Sequence, residues 1–212
     1  MSLYRFVVSM GHGLLKLFYR LRIYTPPTSL PGGAILASNH VSFLDPLIIG
    51  CAWSEPIHSL ARSTLFSPRW FGAVLRRLHA HPIERDGSDP RAFQLACRLL
   101  QEGRKVILFP EGTRSPDGTL QPFKGGISRM AARTRVPVIP IYLHGIAKVW
   151  PRGRRYPHFT GRIACVIGNP IAWDNVAHLE RREAFDVFTQ QLYDAIENLR
   201  RWYEAGAIGT PP

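Results

Sequence analysis

Cysteine is scarce: Cys51, Cys97 and Cys165 are the only ones in 212 residues, with no Cys-x-x-Cys pair or histidine-rich spacing. That excludes a disulfide framework and a structural zinc site, and favours a reducing compartment. Long apolar runs are missing too. The longest uncharged stretch, residues 23–44, is broken by Pro26, Pro27, Pro31, Gly32 and Gly33. A bilayer-spanning helix needs roughly 20 continuous apolar residues, so none is expected. His12 and Lys16 interrupt the first apolar segment and no small-x-small cleavage site follows, which argues against a secretory signal. Acidic residues are few, 15 against 27 Lys and Arg, and none precedes Asp45. The resulting charge of +12 suits a polyanionic partner: nucleic acid, an anionic membrane face or a phosphorylated small molecule. No helix-turn-helix, zinc-finger or RNA-recognition signature supports the nucleic-acid class.

What is present is enough apolar material, 45% of residues, for one domain with a core. At about 100° per residue, residues 3–21 form a two-faced helix. Arg5, Ser9, His12, Lys16 and Arg20 gather on one side, and Leu3, Phe6, Val7, Met10, Leu14, Leu17, Phe18 and Leu21 on the other. Such a helix either covers a core or lies in a membrane interface. The Thr25-Pro26-Pro27-Thr28 breaker ends it, and strand and helix then alternate. Strands are expected over 34–38, 57–61, 106–109, 136–143 and 163–167. Helices are expected over 46–53, 65–78 with an interruption at Pro68, 93–102 and 127–134. A long closing helix carries Phe185, Phe188, Leu192, Ile196, Leu199 and Tyr203. The pattern is that of an α/β protein, a sheet covered by helices.

Four stations stand out. Asn39-His40-Val41-Ser42-Phe43-Leu44-Asp45 lies between a buried strand and a helix. His40 can take a proton near neutral pH, and Asp45 on its other ring nitrogen would fix the tautomer. The same residues also fit a capping box, Ser42-x-x-Asp45, which would occupy Asp45 with backbone N–H groups; Pro46 could instead make Asp45 the cap. Phe109-Pro110-Glu111-Gly112-Thr113-Arg114 again follows a buried strand, with turning backbone, a hydroxyl and a fork-shaped cation suited to an anion. Lys124, beside Gly125 and Gly126, could extend that site. Arg85 follows a short extended piece, and Val136 to Ile141 is an apolar strand whose prolines belong at an edge or terminus.

These four stations, in this order, resemble the glycerolipid acyltransferase family of 1-acylglycerol-3-phosphate acyltransferases. His40 and Asp45 match its His-x4-Asp motif, Phe109 to Arg114 its Phe-Pro-Glu-Gly-Thr-Arg motif, and Arg85 and Pro137 to Pro140 its second and fourth blocks. One departure is His79, where the second block usually opens with glycine, followed by His81 and Pro82. The resemblance implies a single mixed sheet covered by helices, residues 1–24 as a membrane-associating helix and 25–212 as the acyltransferase domain. It implies His40 as base, Asp45 as its orienting partner, and Arg85, Glu111, Gly112, Thr113, Arg114 and Lys124 around a phosphate-bearing lysophospholipid. The donor would be acyl-CoA or acyl-carrier protein. No metal or other cofactor is implied, and the setting would be the cytoplasmic face of the cell membrane.

Overall fold

Continuous burial along residues 34–38 marks a strand covered on both faces, the signature of a parallel sheet interior. The computed structural model describes residues 2–26, 31–84 and 89–212. Its strands are β1 (Arg22–Tyr24), β2 (Ala34–Ser38), β3 (Ile57–Arg62), β4 (Ala80–Ile83), β5 (Lys105–Leu108), β6 (Val138–His144) and β7 (Ala164–Ile167). Its helices are α1 (Leu3–Tyr19), α2 (Asp45–Gly50), α3 (Arg69–Arg77), α4 (Pro90–Gln101), α5 (Gly126–Thr134), α6 (Ile146–Val149) and α7 (Arg181–Glu204). The strands form one seven-stranded mixed sheet in the order β1-β7-β6-β2-β5-β3-β4, antiparallel only where β6 meets β7. Successive residues of β2 face opposite sides. Leu36 joins the core under α1, α2 and α6, while Ile35 and Ala37 join the core under α4, α5 and α7.

The long closing helix takes its expected face: Phe188, Leu192, Ile196 and Leu199 are buried at spacings of three and four. Pro68 splits the expected 65–78 helix into a 3-10 turn, Ser63–Phe66, and α3. The helix expected over 93–102 begins earlier, because Asp89 accepts the Arg91 N–H at 2.8 Å and Pro90 occupies the first helical position. Strand β1 and helix α6 are additions, both too short to show periodicity. Part of the Thr25–Thr28 breaker, Pro27 and Thr28, lies outside the described residues.

Pro137 stands just before β6, at the terminus expected of it, and Pro140 corrects the same expectation. Its strand is central, not at an edge, with Pro140 opposite Ala37 of β2. Pro140 accepts the Gly168 N–H at 2.9 Å but has no donor to return, so the β6–β7 ladder stops there, just past Ile141 and Ile167. His79, standing where a glycine was expected, adopts a φ of 60°, left-handed backbone that glycine enters most readily and histidine tolerates. Its ring lies 5.5 Å from Tyr4 and 4.8 Å from His58.

Helix α1 packs on the domain through a narrow face and leaves a broad one open. Tyr4, Gly11 and Leu15 face inward; Leu47 sits against Gly11, and the Tyr4 hydroxyl accepts the Ile57 N–H at 3.1 Å. This narrow face is not the apolar face read from periodicity. Leu3, Phe6, Met10, Leu14, Leu17 and Phe18 stay exposed, Leu17 to 72%. No described helix is long and apolar enough to cross a membrane.

Gly33, just before β2, lets Leu100 approach so closely that an added Cβ would lie 2.2 Å from its carbonyl oxygen. Gly33→Ala is therefore expected to cost about 2 kcal/mol or more, since backbone must move. Gly13→Ala, with nothing within 4 Å, is expected to be neutral or to stabilise by up to about 1 kcal/mol. Urea unfolding of the two variants checks this; equal effects would contradict it.

Candidate active site

Strands β2, β3, β5 and β6 run parallel, so their carboxyl ends open on one edge of the sheet, where α/β folds gather reactive loops. The loop after β2 carries His40. Its root is pinned by Asn39, whose amide donates to the Leu143 carbonyl at 3.1 Å and accepts the Leu143 N–H at 2.8 Å, continuing the β2–β6 pairing with a side chain.

Asp45 is fully buried, and its Oδ2 accepts three hydrogen bonds: from His40 Nδ1 at 2.7 Å, Val41 N–H at 2.7 Å and Ser42 N–H at 2.9 Å. Burying a carboxylate costs several kcal/mol. Three bonds to a charged acceptor, each worth about 1.5–3 kcal/mol, offset that. The same oxygen thus meets the ring and the two loop N–H groups, while Oδ1 is buried without a partner. Helix α2 itself starts at Asp45 with Leu44 before it, so neither Ser42 nor Asp45 is the cap residue; the Ser42 hydroxyl accepts the Leu44 N–H at 3.4 Å. With Nδ1 turned toward Asp45, Nε2 is the ring nitrogen left over, and the side chain keeps 19% of its surface open.

The loop after β5 grips the same histidine from the other side. Glu111 Oε1 accepts the His40 N–H at 3.0 Å, Ser115 N–H donates to the His40 carbonyl at 2.7 Å, and the Phe109 ring stacks on the imidazole at 3.8 Å. Glu111 is buried, and its Oε2 has no partner. Burial first, and then the nearby negative Asp45, push the Glu111 carboxyl up to about 7, against the hydrogen bonds from His40 and Gln121. Gly112 takes a φ of 71°, and the Lys124 side chain runs across it, 3.1 Å from where a Cβ would stand. Thr113 and Lys124 are exposed beside this turn.

Arg114 lies over the Phe43 ring, 3.9 Å from its centre. Its guanidinium is held below the ordinary value by burial, and then by repulsion from Arg152 and Arg62. Arg152 Nη1 also donates to the Arg114 carbonyl at 3.1 Å. Three cations thus crowd one mouth, a field suited to a phosphate. Arg85 lies outside the described residues; Ile83, two positions earlier, pairs with Arg62 across β3 and β4. The sequence does not mark Arg62 or Arg152, and it gives Asn39 a place in a motif but no role. The first two are lone arginines without a motif, but Asn39 carried a signal: a polar amide directly after a buried strand must find partners.

The family model described as Acyltransferase matches residues 20–144, which hold His40, Asp45 and the Phe109–Arg114 segment. A 1-acyl-sn-glycerol-3-phosphate acyltransferase of Bacillus subtilis is 28% identical over 200 residues, covering 93% of this chain and 96% of that protein. A chloroplastic one of Brassica napus is 33% identical over 177 residues, 76% of this chain, and the chain spans 50% of its length. The crystal structure of the 1-acyl-sn-glycerophosphate acyltransferase PlsC from Thermotoga maritima shares the fold, with a TM-score of 0.72 at 23% identity over 92% of this chain and 79% of that one. Since the family match runs over more than half of the residues and takes in both loops that meet at His40, the chain belongs to the acyltransferase family.

Proposed function

We propose that the chain moves an acyl group from a thioester, acyl-CoA or acyl-carrier protein, to the free hydroxyl of a lysophospholipid, 1-acylglycerol-3-phosphate in the first instance. The observation that carries this reading is the His40 imidazole held by Asp45, in the loop whose Phe43 ring carries Arg114, with Arg62 and Arg152 near that guanidinium. The named relatives, acyltransferases for 1-acylglycerol-3-phosphate, support the acceptor.

His40 Nε2 takes the hydroxyl proton as the oxygen attacks the thioester carbonyl. Asp45 stabilises the imidazolium that forms and keeps it from turning. The tetrahedral intermediate then expels the thiolate, which recovers the proton from His40, leaving a new ester and a free thiol. Arg62, Arg114, Lys124 and Arg85 hold the acceptor phosphate, Thr113 donates its hydroxyl there, and Gly112 keeps the backbone low enough for the phosphate to approach. Glu111 supports His40 through its backbone.

Residues 1–24 lie on the cytoplasmic face of the membrane, with the exposed leucines and aromatics of α1 in the acyl boundary and Arg5, Lys16 and Arg20 at anionic headgroups.

Replacing His40 with Ala is expected to lower turnover of acyl-CoA with 1-acylglycerol-3-phosphate by about 10²–10⁴-fold while the chain stays folded. Near-normal turnover by that variant, measured by mass analysis of phosphatidate, would exclude His40 as the base. A second expectation concerns stability. The folded chain holds a proton on Glu111 up to about pH 7, whereas an ordinary carboxyl loses it near 4.5. Folding is therefore favoured at low pH by this group, and that contribution fades as pH rises from about 4.5 to about 7. Urea unfolding over this interval should show the wild-type chain losing more stability with rising pH than Glu111→Gln; parallel curves would contradict the assignment.

A further inference from the structure

Residues 150–162 join two regions that the function uses separately. At one end Trp150 packs edge-on to Phe43, 6.2 Å between ring centres, and Arg152 is bonded to Arg114. At the other end Phe159 packs edge-on to Phe18 of α1 at 5.9 Å, and the Tyr19 hydroxyl donates to the His158 carbonyl at 2.9 Å. Between these anchors the backbone is braced: Trp150 Nε1 donates to the Arg154 carbonyl, Arg154 Nε to the Tyr156 carbonyl, and His158 N–H to the Val149 carbonyl. The segment is thus a shaped projection that links the His40 mouth to the exposed face of α1.

Its surface has the wrong chemistry for water alone. Phe159 is 83% exposed and Tyr156 65%, and Phe159 extends the uncovered apolar face of α1. Arg155 lies over the Tyr156 ring, Arg154 bonds the Tyr156 carbonyl, Arg152 follows along the same segment, and no carboxylate of the described residues pairs with any of the three. The sequence holds no Asp or Glu anywhere from residue 118 to 173. Exposed aromatics among unneutralised arginines match the acyl boundary and anionic headgroups of a bilayer. A second copy of this chain fits poorly, since it would bring another +12 to the same face.

We propose that the 150–162 segment is a second contact with an anionic phospholipid bilayer, continuous with α1, which turns the His40 mouth toward the headgroups. The acceptor then passes between Phe43 and this segment without leaving the interface. The proposal rests on the reading of α1 as an interfacial helix, and the test separates the two.

Phe159→Cys and Leu17→Cys, each in the full chain, are labelled with an environment-sensitive bimane. Cys97 and Cys165 are buried and Cys51 is half-buried, so wild-type chain treated alongside supplies the blank. Vesicles of equimolar phosphatidylcholine and phosphatidylglycerol should shift both labels to the blue, and phosphatidylcholine alone should do so far less. Adding Arg155→Glu to the Phe159→Cys chain should weaken vesicle binding by about fivefold or more. A shift at position 17 without one at 159 would overturn the second contact and leave α1 standing; no shift at either would overturn both. A shift at 159 that grows with protein concentration in the absence of vesicles would assign this face to a second copy instead.

Discussion

One oxygen atom, Oδ2 of Asp45, organises the loop on which the proposed chemistry depends. It accepts from His40 Nδ1 and from the N–H groups of Val41 and Ser42 while wholly shielded from water. Because burial makes an unpaired carboxylate so costly, the loop has little freedom to adopt any other path. Chain direction after β2 and the orientation of the imidazole are therefore consequences of one set of hydrogen bonds. The ring and two loop N–H groups share one acceptor, so the ring cannot turn without disturbing the loop.

The loop after β5 adds the constraint from the opposite side. His40 has its N–H, its carbonyl and its ring face each engaged by residues of 109–115, which leaves Nε2 as the corner directed outward. Around that corner the charges are strongly asymmetric. Arg62 and Arg152 both repel Arg114, while Asp45 and Glu111 are buried and each spends one oxygen on the loop. The phosphorylated acceptor proposed above would relieve that repulsion, so binding and positioning of its hydroxyl would draw on the same electrostatic imbalance.

Much of the fold was legible because burial has a period. The stripe of α7, the unbroken apolar run of β2 and the His40–Asp45 spacing all report local physics. Other features depend on partners that periodicity cannot name. The inward face of α1 is Tyr4, Gly11 and Leu15, a small surface fitted to Leu47 and Ile57, whereas the larger apolar face points outward. Strand β1 exists only because β7 lies beside it. Pro140 sits mid-sheet because the neighbouring strand ends opposite it. In the site, Arg62 is one arginine among many until β3 brings its end toward Arg114. Motif alone could not show that one Glu111 oxygen meets the backbone of His40.

The measurement that bears most directly on the central claim is the tautomer of His40 in the folded chain, read from ¹⁵N shifts of histidine-labelled protein, with His40→Gln used to assign the signal. A proton on Nδ1 and a bare Nε2, in neutral imidazole, is the predicted result. A neutral ring protonated at Nε2, with Nδ1 bare, would mean that Asp45 does not hold the imidazole and that His40 has no lone pair to offer an incoming hydroxyl.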